Sequence, residues 1–484
     1  MRQMAKDGTR TAEAAQAARG AADLPERVAV LGFARSGRAL AGALAARGVA
    51  VTVGDSRPEA EFDGLDALRS RGVRFFFGGP PPEFLEGAGW LAVSPGVPLD
   101  VPPVREARGR GIPVLAELEI AWRIAEAEAP GRHRWVAVTG TNGKSTTTTW
   151  IAEILKRAGR PAVLAGNIGA PLSGFLAEQG PRDFVCEVSS FQLEAVDRFH
   201  PHVAVLTNIT PDHLDRYAGF DAYAAAKARL FARQQPSDFA VINADDPASL
   251  AVATQARRVL FSRRGRPADA SGGAWLEAGQ LVSDVAAPRH AVLPAERLAL
   301  PGAHNLENAL AALAAAECLA APAAAIVGAL AQFEGLPHRS QLVAEGGGVR
   351  WVDDSKGTNV DATLKSLEGH APGTVLLILG GRDKQGDFAA LRDLVRSNAR
   401  AVLTIGEAAP AIARALDGAA PIEPSGTMAE AVARAARLAR AGDTVLLSPA
   451  CASFDQYRNY EERGRHFAEL ARAAAGGNHG PQAR

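Results

Sequence analysis

"VAVTGTNGKSTTTTW", residues 136–150, runs an apolar segment through a short glycine-bounded turn into a helical pattern and sets four threonines, Thr146 to Thr149, where the helix begins. β-Branched side chains lose rotamer freedom in a helix, so such a run needs a reason other than propensity. The turn supplies it. Gly140 and Gly143 let the backbone of Gly140, Thr141, Asn142 and Gly143 curl its amides toward phosphate oxygens, the free amides of the helix start add positive potential, and Lys144 neutralises charge. The hydroxyl of Ser145, directly after the lysine, suits Mg²⁺; Ser145 or Thr146 faces metal or phosphate, while Thr148 and Thr149 pack. The usual pattern GxxxxGK[ST] requires glycine at position 138, where Val138 stands, so this is a shorter GxxGKS form that points away from common nucleoside triphosphatases.

Strand, phosphate turn and helix form the opening of a parallel α/β domain, and the pattern extends both ways. Upstream, "RVAVLGFARSG" predicts a strand and a glycine turn, followed by a helix over about 38–47 and the strand "VAVTVGD"; "AEAEAPGRHR" reads as a linker. Downstream, "DFVCEVSS", "HVAVLTNIT" and "FAVINADD" are apolar runs separated by helical patterns, which favours a parallel sheet covered on both faces. A third βα block follows "GLPHRS", with "RWVDDSKGTN", "TVLLILGG", "AVLTIGE" and "DTVLLSPA". The expected division is a disordered tail over 1–26, domains over 27–128, 129–335 and 336–475, and a tail over 476–484. At 484 residues this agrees with about three domains of roughly 150 residues each.

Lys plus Arg (53) equals Asp plus Glu (53), so no net field favours nucleic acid or an anionic membrane, and anion binding must rest on local donors. Cys186, Cys318 and Cys451 show no CxxC spacing, which argues against a disulfide framework or a zinc site and fits a reducing, cytoplasmic setting. The alanine-rich stretch from Asn308 is interrupted by Glu317 and Pro322 and predicts packed helices rather than a membrane span; the first 26 residues lack the apolar core of a signal peptide.

Taken with "GNIG" at 166, "EVSSFQLE" at 187, "NITPDHLDRY" at 208, "HNLENALAA" at 304, "GLPHRSQ" at 335, "DDSKGTNVDAT" at 353, "LGGRDKQGDF" at 379 and "LLSPACASFDQYRNYEERG" at 446, the turn resembles the Mur ligase family over residues 27–472. The last motif resembles the branch that adds D-glutamate. The resemblance implies three α/β domains: a Rossmann-like domain for the UDP substrate, a central P-loop-type ATPase domain with a mostly parallel sheet, and a Rossmann-like C-terminal domain for the amino acid. It implies ATP-dependent addition of D-glutamate to UDP-N-acetylmuramoyl-L-alanine through an acyl phosphate, with Mg²⁺ as cofactor, by a cytoplasmic monomer of peptidoglycan synthesis with no nucleic-acid partner.

The same resemblance assigns roles by position. Lys144, Glu187, His213 and Lys227 are the catalytic set; Ser145, Glu187, His213 and Lys227 bind metal, Lys227 as a carbamate that turns a cation into an anionic donor. From the residues alone, Lys227 in "AYAAAKARLF" reads as a surface lysine of a helix. Asn305, Asn308, Arg339 and Asp354 complete the ATP site, although the two asparagines also read as N-caps of the alanine-rich helix. Arg35, Ser36, Asp55, Ser56, Arg57, Ser94, Pro95, Gly96 and Asn167 fall to the UDP substrate, and Thr358, Lys384, Ser453, Phe454 and Tyr460 to D-glutamate; Phe454 and Tyr460 equally read as core aromatics. His338, Lys356 and Asn359 lie beside these positions. Closure of the third block onto the second is expected to assemble the parts.

Three other readings remain open. A sibling ligase or a folylpolyglutamate synthetase would keep the central motifs. Gly32, Gly37 and Asp55 form a broken dinucleotide fingerprint, with Ala34 in place of its middle glycine, which a nicotinamide dehydrogenase would use. A catalytically inert nucleotide-binding module would have no need of Lys144, Glu187, His213 and Lys227 together.

Overall fold

The computed structural model describes residues 23–476 apart from 179, 269 and 287, so most of the two expected tails lies outside the described residues. The chain forms two compact units. The first takes the described part of Met1–Asn208 with Ala224–Leu298 and Asn305–Gln332; the second takes Ile209–Tyr223, Ala299–His304 and the described part of Phe333–Arg484.

The first unit holds two sheets. Strands β1 (Arg27–Leu31), β2 (Ala50–Asp55), β3 (Arg74–Phe77), β4 (Trp90–Val93) and β5 (Val114–Ala116) lie parallel in the order β3-β2-β1-β4-β5. Strand order reverses between β1 and β4, the place where open α/β sheets receive ligands. The helix expected over 38–47 runs instead over Arg35–Ala45, because the Ala34 carbonyl already accepts from the Arg38 amide at 3.0 Å and closes the first helical turn early.

The second sheet contains β6 (Arg134–Thr139), β7 (Ala162–Gly166), β8 (Asp183–Glu187), β9 (Val203–Leu206), β10 (Phe239–Asn243), β11 (Arg257–Ser262), β12 (Gly273–Glu277), β13 (Gln280–Ser283) and β14 (His290–Pro294), ordered β14-β13-β12-β11-β10-β9-β6-β8-β7. Only β13 and β14 join it antiparallel. Val136, Ala137 and Val138 of β6 are fully buried, as an interior strand of a sheet covered on both faces requires. The helix Lys144–Arg157 packs along β6, β7 and β8, and the helix Ala323–Gln332 packs against it. The alanine-rich stretch forms the helix Ala303–Cys318, buried from Ala309 to Ala316, and no helix among the described residues is long and apolar enough to cross a membrane. Between the two sheets runs the helix Glu117–Glu128, whose buried Glu119 carboxylate accepts the amides of Asp197, Arg198 and Phe199.

The second unit is built on β15 (Gln341–Gly346), β16 (Val349–Asp353), β17 (Val375–Gly380), β18 (Ala399–Ile405), β19 (Ile422–Gly426) and β20 (Thr444–Leu447), ordered β15-β16-β20-β17-β18-β19 and parallel except for β15. Successive residues of β17 serve opposite faces. Leu377 and Leu379 pack with Leu391 and Val402, and Leu376 and Ile378 pack with Val445 and Phe467.

Candidate active site

In the first unit the carboxyl ends of β6, β8 and β9 lie side by side, with Val138 paired to both Glu187 and Val205. The turn after β6 is fastened to the end of β9. The Thr141 amide donates to the Asn208 carbonyl (2.8 Å), the Asn142 amide to the Asn208 side chain (2.9 Å), and the Thr207 hydroxyl to the Asn142 carbonyl (2.6 Å). This close fit requires glycine twice. Gly140 has φ +146° and a Cβ there would stand 1.9 Å from the Thr207 hydroxyl; Gly143 has φ +82° and a Cβ would stand 2.1 Å from Asn308 Oδ1.

The Lys144 ammonium donates to the carbonyls of Gly140 (2.9 Å) and Thr141 (2.7 Å). Lys227 is no surface residue. It is only 1% exposed, and its ammonium donates to the same Gly140 carbonyl at 2.7 Å, so two cations converge on one oxygen of the phosphate turn. The threonines divide as their environments dictate. Thr148 returns its hydroxyl to the Lys144 carbonyl at 2.7 Å, whereas the hydroxyls of Thr146 and Thr149 are buried with no hydrogen-bond partner. Asn305 and Asn308 lie inside the helix Ala303–Cys318, buried, so they do not cap it; Asn308 is pressed against Gly143 instead. Glu187, 1% exposed at the end of β8, accepts from the Asn167 side chain at 2.6 Å.

Around the first sheet, Asp55 at the end of β2 is saturated. It accepts the Phe33 amide at 2.7 Å and the Arg57 amide at 3.0 Å, and it pairs with the Arg57 guanidinium through two bonds of 3.1 Å. Burial raises its pKa, but these bonds, the Arg57 side chain foremost, hold it below the usual carboxylate range. Such an engaged carboxylate is poorly placed to read a ribose, against the dehydrogenase reading. Ser94 donates to the Gly32 carbonyl at 2.8 Å, half-exposed Pro95 and exposed Gly96 follow it, Ser36 is half-buried and Ser56 exposed, and exposed Arg35 reaches the Gly169 carbonyl.

In the second unit the Asp212 carboxylate is a hub: Lys384 donates to one oxygen at 2.7 Å and the Asn359 amide to the other at 2.9 Å. Burial pushes the Asp212 pKa up, yet the charges of Lys384 and His213 outweigh it and bring it down to about 2. A cavity of about 460 Å³ opens here, lined among others by Thr210, Asp212, Thr358, Asn359 and Lys384. Thr358 and Lys384 thus share a cavity that Ser453, Phe454 and Tyr460 do not line. Ser453 is buried, its carbonyl accepting the amides of Gln456 and Tyr457, while Phe454 is 62% exposed and so is not a core aromatic. Half-buried Tyr460 lies edge-on to His338 with the Lys356 ammonium over its ring at 5.2 Å. His213 adopts φ +55° beside Tyr223, and His338 pairs with Asp353 at 2.6 Å. Burial pushes the Asp354 carboxyl up to about 6, against the Ser448 hydroxyl that donates to it at 2.8 Å and the charge of Arg339.

Comparison with known proteins gives this arrangement a lineage. Residues 26–116 match the Mur ligase MurD-like N-terminal domain, 138–316 the Mur ligase middle domain and 338–451 the Mur ligase glutamate ligase domain. The UDP-N-acetylmuramoylalanine--D-glutamate ligase of Anaeromyxobacter dehalogenans is 47% identical over 456 residues, 92% of this chain and 97% of the relative. The chain belongs to the Mur ligase family. The ligase of the same name from Pelotomaculum thermopropionicum is 45% identical over 451 residues, again 92% of this Mur ligase and 97% of the relative. The solved structure of MurF from Acinetobacter baumannii shares the Mur ligase fold at a TM-score of 0.59 and 19% identity, covering 94% of this chain and 98% of that one.

Among its described residues this Mur ligase has no cluster of three His, Cys, Asp or Glu side chains able to cage a metal. Mg²⁺ keeps waters and takes one or two carboxylates together with substrate phosphates, and the buried Glu187 carboxylate is an oxygen donor of that kind. Glu187 and Ser145 would hold the ion, and the buried, unpartnered Thr146 hydroxyl offers an oxygen in the same helical turn as Ser145. Sequence reasoning gave no role to Thr207, Asn208, Asp212 or Ser448. Asp212 had a signal: an acidic residue between Pro211 and His213 just after a strand.

Proposed function

We propose that this Mur ligase joins D-glutamate to UDP-N-acetylmuramoyl-L-alanine while converting ATP to ADP and phosphate, a step of peptidoglycan precursor synthesis. The observation that carries the reading is the end-to-end match to D-glutamate ligases at 45% and 47% identity. The terminal carboxylate of the UDP substrate attacks the γ-phosphate of ATP to give an acyl phosphate and ADP. The amine of D-glutamate then attacks the acyl carbon, phosphate leaves, and an amide remains.

Carboxylate and triphosphate repel each other, so the chain must supply positive charge where they meet. Lys144 and the turn amides take the phosphates, Arg339 adds a planar fork, and Asn305 and Asn308 take the adenine side. Mg²⁺, when bound, neutralises phosphate charge. Glu187 and Ser145 would hold it, with His213 and a carbamate on Lys227 as further donors. Arg35, Ser36, Ser56, Arg57, Ser94, Pro95, Gly96 and Asn167 receive the UDP substrate, with Asp55 anchoring Arg57. Thr358 and Lys384 receive a D-glutamate carboxylate, and Ser453, Phe454 and Tyr460 complete that pocket. Cytoplasmic action belongs to the same reading, supported by the ATP requirement and by three cysteines that are all free thiols; a monomer is part of the proposal.

The test is phosphate release with UDP-N-acetylmuramoyl-L-alanine, ATP and a panel of amino acids. D-glutamate alone should support turnover. Turnover with L-alanine or a diamino acid and none with D-glutamate would reject the reading.

A further inference from the structure

The first sheet carries an aromatic cluster that nothing in the reaction explains. Phe62 and Phe77 stack at 4.8 Å, Phe75 and Phe77 at 5.4 Å, and Phe33 meets Phe62 edge-on at 5.6 Å. The cluster is not closed off as a core. Phe62, Phe75 and Phe77 are only half-buried. Over its outer member lies the Arg57 guanidinium, 4.4 Å from the Phe62 ring centroid. The same guanidinium is tied to Asp55, which also holds the Phe33 amide next to the Gly32 turn. Arg57 is thus fixed at its edge by a carboxylate and on one face by a ring, while its side chain keeps 45% of its exposure for a ligand.

We propose that Phe62 is a positioning residue for the UDP substrate: its ring fixes the plane in which Arg57 meets the uridine diphosphate moiety. This rests on the reading of Arg57 as a UDP-substrate contact. A guanidinium on an aromatic face gains electrostatic and dispersion energy and loses rotamer freedom before the ligand arrives, so the ligand has less to order. Asp55 alone leaves the fork free to swing about its edge.

The experiment uses the full chain and compares the parent with Phe62→Leu, Phe62→Tyr, Arg57→Ala and the double variant Phe62→Leu/Arg57→Ala. Phosphate release gives KM and kcat for each substrate, and calorimetric titration with UDP alone gives its affinity. Phe62→Leu should raise KM for the UDP substrate and weaken UDP by roughly three- to tenfold, the range of a partly exposed cation–π contact. Its kcat and its KM for ATP and D-glutamate should stay within about twofold of the parent, a margin of a few tenths of a kcal/mol. Phe62→Tyr, which keeps the ring, should restore UDP affinity, and the double variant should be no weaker than Arg57→Ala, since Phe62 acts through Arg57. Unchanged UDP affinity in Phe62→Leu with a loss in Arg57→Ala overturns the proposal and leaves the reading of Arg57 standing. No loss in Arg57→Ala removes that reading itself. Additive losses in the double variant, or a fall of all three affinities together, also overturn it.

Discussion

Lys144 and Lys227 donate to one oxygen, the Gly140 carbonyl, at 2.9 and 2.7 Å. Two ammonium groups held this close repel each other, and Lys227 has almost no water to screen it. An anion brought to this oxygen, or conversion of one cation into an anion, would lower that repulsion. On the reading proposed above, ATP phosphate would supply the first and a carbamate on Lys227 the second, so the turn and the buried lysine would belong to one electrostatic problem.

Lys227→Ala should lower kcat by about a hundredfold or more, the scale of losing a placed electrostatic group in a water-poor site. Under the carbamate reading, bicarbonate, formate or acetate diffuses into the vacated space and restores part of the rate. Lys227→Met, which refills the space, should show no restoration. Steady-state rates against carboxylate concentration, with circular dichroism to confirm folding, decide the matter; an alanine variant that folds normally and never responds refutes the carbamate.

The difference between Lys227 and Lys144 also shows where sequence reasoning runs out. Lys144 was legible because its neighbours in sequence, Gly143 and Ser145, are its neighbours in the turn, and the α/β alternation was legible because strands buried on both faces are written as apolar runs. Lys227 lies in an alanine-rich helix 87 residues from its partner, and only the tertiary fold reveals that this face is buried. Asp212 carried a local signal, but its role as a hub stayed hidden for the same reason, since Lys384 stands 172 residues away. The alternative that Asn305 and Asn308 cap the alanine-rich helix fails because that helix already begins at Ala303, a start the local sequence does not mark.

Asp354 should make stability depend on pH in an unusual direction. Burial raises its folded pKa from 3.8 to about 6, so the folded state holds the proton more tightly than the unfolded state. Its stabilising effect is complete below the unfolded pKa and is lost as pH rises through about 6. Asp354→Asn should therefore be more stable than the parent at pH 7.5 by roughly 2 kcal/mol, with the gap closing toward pH 4. Urea midpoints across that range measure it. An asparagine variant less stable at pH 7.5 than at pH 4 relative to the parent would contradict the assignment.

Asp212 predicts the opposite slope. Its folded pKa of about 2 lies below the unfolded value, so its contribution is present above about 3.8 and disappears as pH falls through about 2. Asp212→Asn should be destabilised equally at pH 7 and pH 5, and approach the parent only in strong acid. Loss of the anchor also frees the Lys384 ammonium, so KM for D-glutamate should rise about tenfold while KM for ATP is unchanged. Kinetics with each substrate varied in turn tests this, and a D-glutamate KM equal to the parent's would sever Asp212 from amino-acid binding.

Thr146 separates stability from function within a single side chain. Its hydroxyl is buried without a hydrogen-bond partner, which costs folding energy, whereas Thr148 satisfies its own by bonding the Lys144 carbonyl. Thr146→Val keeps the shape and removes the unpaired group, so it should raise stability by about 1 kcal/mol. If the hydroxyl is kept for phosphate or Mg²⁺, the same variant should bind ATP about tenfold more weakly, a loss of about 1.4 kcal/mol. Thr148→Val is the control, expected to lose a few tenths of a kcal/mol of stability and leave ATP binding alone. Urea denaturation and ATP titration in the presence of Mg²⁺ give both numbers. A more stable valine variant with parental ATP affinity would show that the threonine run is packing alone, and the opening stretch would then owe its nucleotide affinity to its glycines and Lys144.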